Sequence, residues 1–152
     1  MEIMECLLSN IDEKWIDRIE NCSWGAAKLL AELLRDQNRL EDALGYNGEI
    51  FILKHYDELI GFATLTQREC IFDDNLYPWA GFVFIRHEYR GHRYSERVLE
   101  YVCQKAKECG HKNIYIATEH AGKLYEKYGF IYKEDREDVF GAVNQVYYKK
   151  LI

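Results

Sequence analysis

The spacing of apolar positions changes along this chain, and each change predicts an element. Ile11, Trp15 and Ile19 recur at four-residue intervals, the period of a helix with one buried face. Asn10 and Glu13 before them have the spacing of a capping box. Trp24, Ala27, Leu30, Ala31 and Leu34 form a second stripe behind Ser23, a residue type suited to an N-cap, and the stripe fades by Asn38. The first third is therefore expected to be helical. At Asn47-Gly48, a turn pair, the pattern changes. Glu49 to His55 and Leu59 to Thr66 read as two strands of a hairpin around Asp57-Glu58. A polar loop holding Asp73, Asp74 and Asn75 follows. Trp79 to Ile85 is then an unbroken apolar run, as expected of a central strand covered on both faces.

Helical spacing returns after Arg86, with Tyr94, Val98, Leu99, Val102 and Ala106 on one face of a helix of about 15 residues. Gly110 suits the position just past its end. Ile114 to Ala117 reads as a short buried strand and Ala121 to Tyr128 as a short helix stopped by Gly129. Phe130 to Lys133 and Val143 to Tyr148 read as a final strand pair. A strand–helix–strand passage implies a parallel pairing, whereas hairpins imply antiparallel ones. The expected class is α/β: one mixed, mostly antiparallel sheet with helices on both faces. With no repeat or linker in its 152 residues, the chain is expected to form a single domain over 1–152.

Composition excludes several function classes. The formal net charge is −6, from 26 acidic and 20 basic residues, which argues against a nucleic-acid partner because that binding depends on Lys and Arg neutralising phosphates. The acidic balance is compatible with a cationic substrate. The five cysteines, Cys6, Cys22, Cys70, Cys103 and Cys109, are odd in number and lack the Cys-x-x-Cys spacing of a zinc corner. They are expected to be reduced thiols, and no metal is expected. No apolar run of ~18 residues exists, so no membrane span is expected. The first ten residues hold two Glu and no Lys or Arg, unlike a secretory signal, so the expected location is the cytoplasm.

Against this acidic background Arg86, His87, Arg90, His92, Arg93 and Arg97 crowd together where the apolar strand hands over to a helix. The free N–H groups at a helix N-terminus and the positive end of its dipole favour an anion. Basic residues early in a helix oppose that dipole, so their placement suits a ligand better than it suits the helix. Gly91 would let the backbone approach such a ligand closely. A phosphate-bearing ligand fits these features.

The stretch Tyr89-Arg90-Gly91-His92-Arg93-Tyr94-Ser95 resembles the pyrophosphate loop of the GNAT superfamily of N-acyltransferases. That loop runs Arg or Gln, two residues, Gly, one residue, Gly or Ala. Arg90 fills the first place, while Arg93 and Ser95 stand where the family has its small residues. Two further signatures lie in the expected order: Leu76 to Gly91 is similar to the family's central strand and its exit, and Leu124 to Phe130 to its short helix ending in Gly-Phe. The resemblance covers nearly the whole chain. It implies a central parallel strand pair that splays apart, with acetyl-coenzyme A as acetyl donor lying between the strands. Val83, Phe84 and Ile85 would line the pantetheine arm, and Arg90, Gly91, His92, Arg93, Tyr94 and Ser95 would hold the pyrophosphate.

The implied reaction moves an acetyl group to a primary amine by direct attack in a ternary complex. By motif position, Tyr125 is the candidate acid near the coenzyme A sulfur; a phenol with pKa ~10 donates a proton without being ionised at neutral pH. Asp73, Asp74, Glu119 and His120 are the candidate bases, with Asp74 and Glu119 placed foremost. Trp24, Tyr77 and Trp79 are candidate contacts for the acceptor. Trp15 and Glu32 also lie in the part of the chain from which this family draws acceptor selectivity, although core packing explains Trp15 and Trp24 equally. The acceptor is a small-molecule or peptide amine, and a homodimer is compatible with the resemblance. Arg93 in a glycine position keeps a second reading open: a catalytically silent module that binds coenzyme A or a protein partner.

Overall fold

Among the described residues, seven strands and five α-helices follow one another as β1 (Glu2–Leu7), α1 (Glu13–Glu20), α2 (Gly25–Leu34), α3 (Gln37–Leu44), β2 (Glu49–His55), β3 (Glu58–Thr66), β4 (Trp79–Ile85), α4 (Tyr94–Glu108), β5 (Asn113–Thr118), α5 (Leu124–Lys127), β6 (Ile131–Glu137) and β7 (Val143–Lys150). The computed structural model describes residues 1–119 and 123–152. The strands form one sheet in the order β1-β2-β3-β4-β5-β7-β6. Every neighbouring pair is antiparallel except β4 and β5.

Alternation along the strands sends side chains into two cores. Phe51, Leu53, Ala63 and Ile85 face α4 and meet Val98, Leu99, Val102 and Ala106. Ile50, Ile52, Phe62 and Phe84 face the N-terminal helices and meet Trp15, Ile19, Leu30 and Ala31. Helices on both faces of a mixed sheet are what the sequence predicts. A third, smaller cluster of Ile71, Leu76, Trp79 and Val146 seals the loop before β4.

The N-terminal third departs from the all-helical expectation. It opens with β1, an edge strand that pairs Glu2–Leu7 with Glu49–Lys54, and it holds a third helix, α3. The start of α3 is capped by Asp36, whose carboxylate accepts from the Arg39 N–H at 3.3 Å. The expected caps are shifted. Asn10 closes a 3₁₀ turn, α1 starts after Asp12, and α2 starts after Trp24, so neither Asn10 nor Ser23 occupies an N-cap. Arg35, just past α2, ties that helix to α1 through Glu13, Asp17 and Glu20 at 2.7–2.9 Å. The clasp fixes α1 and α2 to each other on either side of the turn bearing Trp24.

Two features of β4 shape the site. It pairs with β5 through a single register partner, Trp79↔Tyr115, so the strands part beyond that point. A register irregularity also interrupts its ladder with β3 between Phe62 and Thr64, and beside it Phe82 takes a positive φ of 46°. Bulges of this kind bend a strand and re-aim its side chains.

Candidate active site

Where β4 and β5 part, a cleft of about 550 Å³ opens. Its walls are Val83, Phe84 and Ile85 on β4, the loop from Tyr89 to Ser95, Trp24 from the α1–α2 turn, and Leu124, Tyr125 and Tyr128 around α5. The sequence thus brings together Val83, Phe84, Ile85, Arg90, Gly91, Arg93, Tyr94, Ser95, Trp24 and Tyr125. His92 is exposed beside Tyr94, 5.5 Å between rings, and its side chain does not line the cleft.

One end of the cleft is electropositive. Among the described residues no side chain caps the N-terminus of α4, leaving the N–H groups of its first turn for a ligand. Arg93 at the N-cap lies in the left-handed region (φ 59°, ψ 29°), the conformation for which glycine is the ordinary choice. Its guanidinium turns out to Glu96, Nε to Oε1 at 3.1 Å, so the side chain leaves the loop's inner face clear. Gly91 has φ +88° and open space around its Cα, with no heavy atom within 4 Å of a would-be Cβ. Arg90 folds back onto β4: its Nε donates to the Ile85 carbonyl at 3.0 Å and its guanidinium lies 5.8 Å from the Phe84 ring. Ser95 and Tyr128 share a hydroxyl hydrogen bond of 2.8 Å that ties α4 to the turn after α5. The residues present therefore fit an anionic, phosphate-bearing ligand.

The other end is aromatic. Trp24 stacks on Phe84, with centroids 5.1 Å apart and planes 5° from parallel. Tyr125 sits among Tyr128, Phe130 and Tyr147, with ring centroids 6.1–6.5 Å away. Burial, and secondarily Tyr128, pushes its hydroxyl up to about 12, so it stays protonated and able to donate throughout the neutral range.

Other expected site residues fall elsewhere. Trp79 is fully buried; its Nε1–H donates to the Leu76 carbonyl at 2.7 Å and its ring packs on Tyr115, so it is a core residue and contacts no acceptor. Tyr77 and Asp74 are exposed and line a separate hollow at the N-terminal end of β4, with His111 and Arg68. Asp74, 3.9 Å from Arg68, lines that hollow and not the cleft that holds Tyr125. Asp73 is held by Arg136 at 3.1 Å. Trp15 is buried under Lys14, Arg18 and Lys54, and Glu32 pairs with Arg39 on the surface. Glu119 is exposed just past β5, and His120 lies outside the described residues. All five cysteines are free, and burial raises the Cys70 and Cys103 thiols to about 12 and about 11, which rules them out as neutral-pH nucleophiles. Among the described residues, no group of acidic, His and Cys side chains could hold a metal, and no helix is long and apolar enough to cross a membrane.

One group that the sequence does not single out is Glu69, in the loop after β3. Its Oε2 is buried with no hydrogen-bond partner among the described residues, and burial raises the carboxyl to about 7 despite a hydrogen bond from the Cys70 backbone.

A splayed β4–β5 pair, an uncapped helix start and a half-buried tyrosine on a short helix define an acyltransferase-type cleft. The family model described as "Acetyltransferase (GNAT) family" matches residues 15–130, and the chain belongs to that family. Solved structures share the fold. An aminoglycoside 6'-N-acetyltransferase complexed with coenzyme A superposes with TM-score 0.76 at 14% identity, covering 100% of this chain and 98% of that one. A GNAT family acetyltransferase from Elizabethkingia anophelis with acetyl-CoA bound gives 0.64 at 16% identity, covering 97% of each. A Bacillus anthracis protein solved in complex with acetyl coenzyme A gives 0.57 at 24% identity, covering 68% of this chain and 62% of that one. A search of curated protein sequences finds no match to the chain.

Proposed function

We propose that this protein is an acetyl-coenzyme A-dependent N-acetyltransferase that moves an acetyl group to a primary amine by direct attack in a ternary complex. The observation that carries the reading is the cleft itself: one continuous groove joins an uncapped helix N-terminus to a protonated, half-buried tyrosine. The amides of Gly91 to Ser95 would take the pyrophosphate, and the parted edge of β4 along Val83 to Ile85 would take the pantetheine arm. Backbone N–H groups on that edge can also stabilise charge growing on the thioester oxygen.

In the reaction the amine nitrogen forms a bond to the acetyl carbon and the carbon–sulfur bond breaks. Tyr125 donates its hydroxyl proton to the departing sulfur and recovers one from the nitrogen by way of solvent. The Trp24–Phe84 stack forms the apolar wall on the acceptor side, a role for Trp24 beyond core packing. That the neighbour structures include an aminoglycoside 6'-N-acetyltransferase supports a small-molecule amine as acceptor.

The test is thiol release from acetyl-coenzyme A on mixing with aminoglycosides, polyamines, amino acids and peptides. Amine-dependent release with matching acetylated product supports the reading. Tight coenzyme A binding without release for any amine would contradict it and favour the silent binding module.

A further inference from the structure

Glu69, in the loop after β3, turns a carboxyl oxygen inward over β4. A side chain at Gly81 on β4 would collide with its Oε2 and come within 3.2 Å of Thr64 Oγ1 on β3. The carboxyl thus rests over the bare backbone of Gly81, beside the positive-φ Phe82 and the ladder irregularity near Thr64. Both oxygens at this spot, Glu69 Oε2 and Thr64 Oγ1, are buried without partners among the described residues. Buried polar atoms normally have partners, and two orphans around one glycine mark a place for a further polar group. Gly81 stands two residues before Val83, roughly 7 Å along the strand from the cleft wall at ~3.3 Å per residue. Among the described residues no ion pair fixes the carboxyl; the titratable groups near it are Cys70 beside it, and Asp138 and Glu119, whose charges reach Cys70.

Resting on the acetyltransferase reading, we infer that Glu69 is the base that accepts the proton of the acceptor ammonium, through water held by Thr64. An alkylammonium with pKa ~10 is almost wholly protonated at neutral pH and must lose a proton before its lone pair can attack. The ammonium N–H bond breaks, its proton passes to the Glu69 carboxylate, and the freed pair forms the bond to the acetyl carbon. The second proton lost from nitrogen balances the one that Tyr125 gives to sulfur, and Glu69 returns its proton to solvent. A carboxyl titrating near 7 is half ionised in the working range, where a base is most effective. The bare Gly81 leaves the room that the carboxyl needs.

The experiment compares the full-length parent, Glu69→Gln, Glu69→Asp and Gly81→Ala, using an amine that the parent acetylates. Turnover is followed against pH, and acetyl-coenzyme A binding by calorimetry confirms that each variant is folded. The parent's turnover should rise through about pH 7 and level off above, because only the ionised carboxyl accepts a proton. Glu69→Gln should bind the donor as the parent does, lose that limb and turn over about 100-fold more slowly. Glu69→Asp should keep the limb at intermediate rate, and Gly81→Ala should slow turnover by displacing the carboxyl. Glu69→Gln with the parent's rate and pH profile would overturn the inference while leaving the acetyltransferase reading intact. A parent that acetylates no amine would overturn both.

Discussion

At its N-terminal end β4 is closed. Trp79 is sealed against Tyr115, Ile71 and Leu76, the parallel pairing to β5 forms there, and the Tyr115 N–H donates to the Pro78 carbonyl at 3.0 Å. At its C-terminal end the same strand is open. Val83, Phe84 and Ile85 line a cleft, and the backbone edge toward β5 has no strand partner. One apolar run thus does two jobs. Its first residues hold the sheet together so that its last can leave the neighbouring strand. The Phe82 irregularity lies at the change-over, where a bulge serves to redirect the chain.

The contrast can be broken from either end. Trp79→Ala should cost the most, about 3–5 kcal/mol, as expected for emptying a large aromatic site in a core. Chemical denaturation reads this directly, and a cost below about 1 kcal/mol would mean that the closed end does not hold the fold. Gly91→Glu at the open end should instead spare the fold within roughly 1 kcal/mol of left-handed backbone strain. It should weaken coenzyme A binding about 10³-fold, since opposing like charges costs several kcal/mol; unchanged affinity would remove the loop as the anion site. Tyr125→Phe should lower turnover about 100-fold with donor affinity nearly unchanged, and equal turnover would remove Tyr125 as the acid. Arg93→Gly is the smallest change. It relieves the left-handed strain and loses an exposed pair to Glu96, so stability should rise by no more than about 1 kcal/mol. A clear fall in thermal midpoint would show that the pair matters more than the backbone.

The open end was legible in the sequence because its signals are local. A basic cluster at a strand–helix junction, Gly91 at positive φ, and Tyr125 on a helix ending in Gly129 and Phe130 all lie in short contiguous stretches. The mixed sheet with helices on both faces was legible for the same reason, since period and turn residues report on neighbours in sequence. What stayed hidden depends on distant contacts. β1 is an edge strand whose partner lies some fifty residues on, and its Glu2, Ile3, Met4, Glu5 run shows no clean alternation. The start of α3 carried a signal, Asp36 three residues before the N–H it accepts from, but its weak stripe of Leu40 and Leu44 hid it. Trp79 could not be placed from sequence because a tryptophan at a strand start reads alike as pocket or core. Glu69 had no signature at all. Its chemistry comes from burial over Gly81 and beside Thr64, residues that only the folded sheet brings to it.

The account rests on the open end being built for coenzyme A. Calorimetric titration of the purified protein with acetyl-coenzyme A, beside free coenzyme A and NAD, tests this most directly. The account predicts saturable binding of both coenzyme A species and none of NAD. Absence of coenzyme A binding at millimolar ligand, or equal binding of NAD, would contradict it.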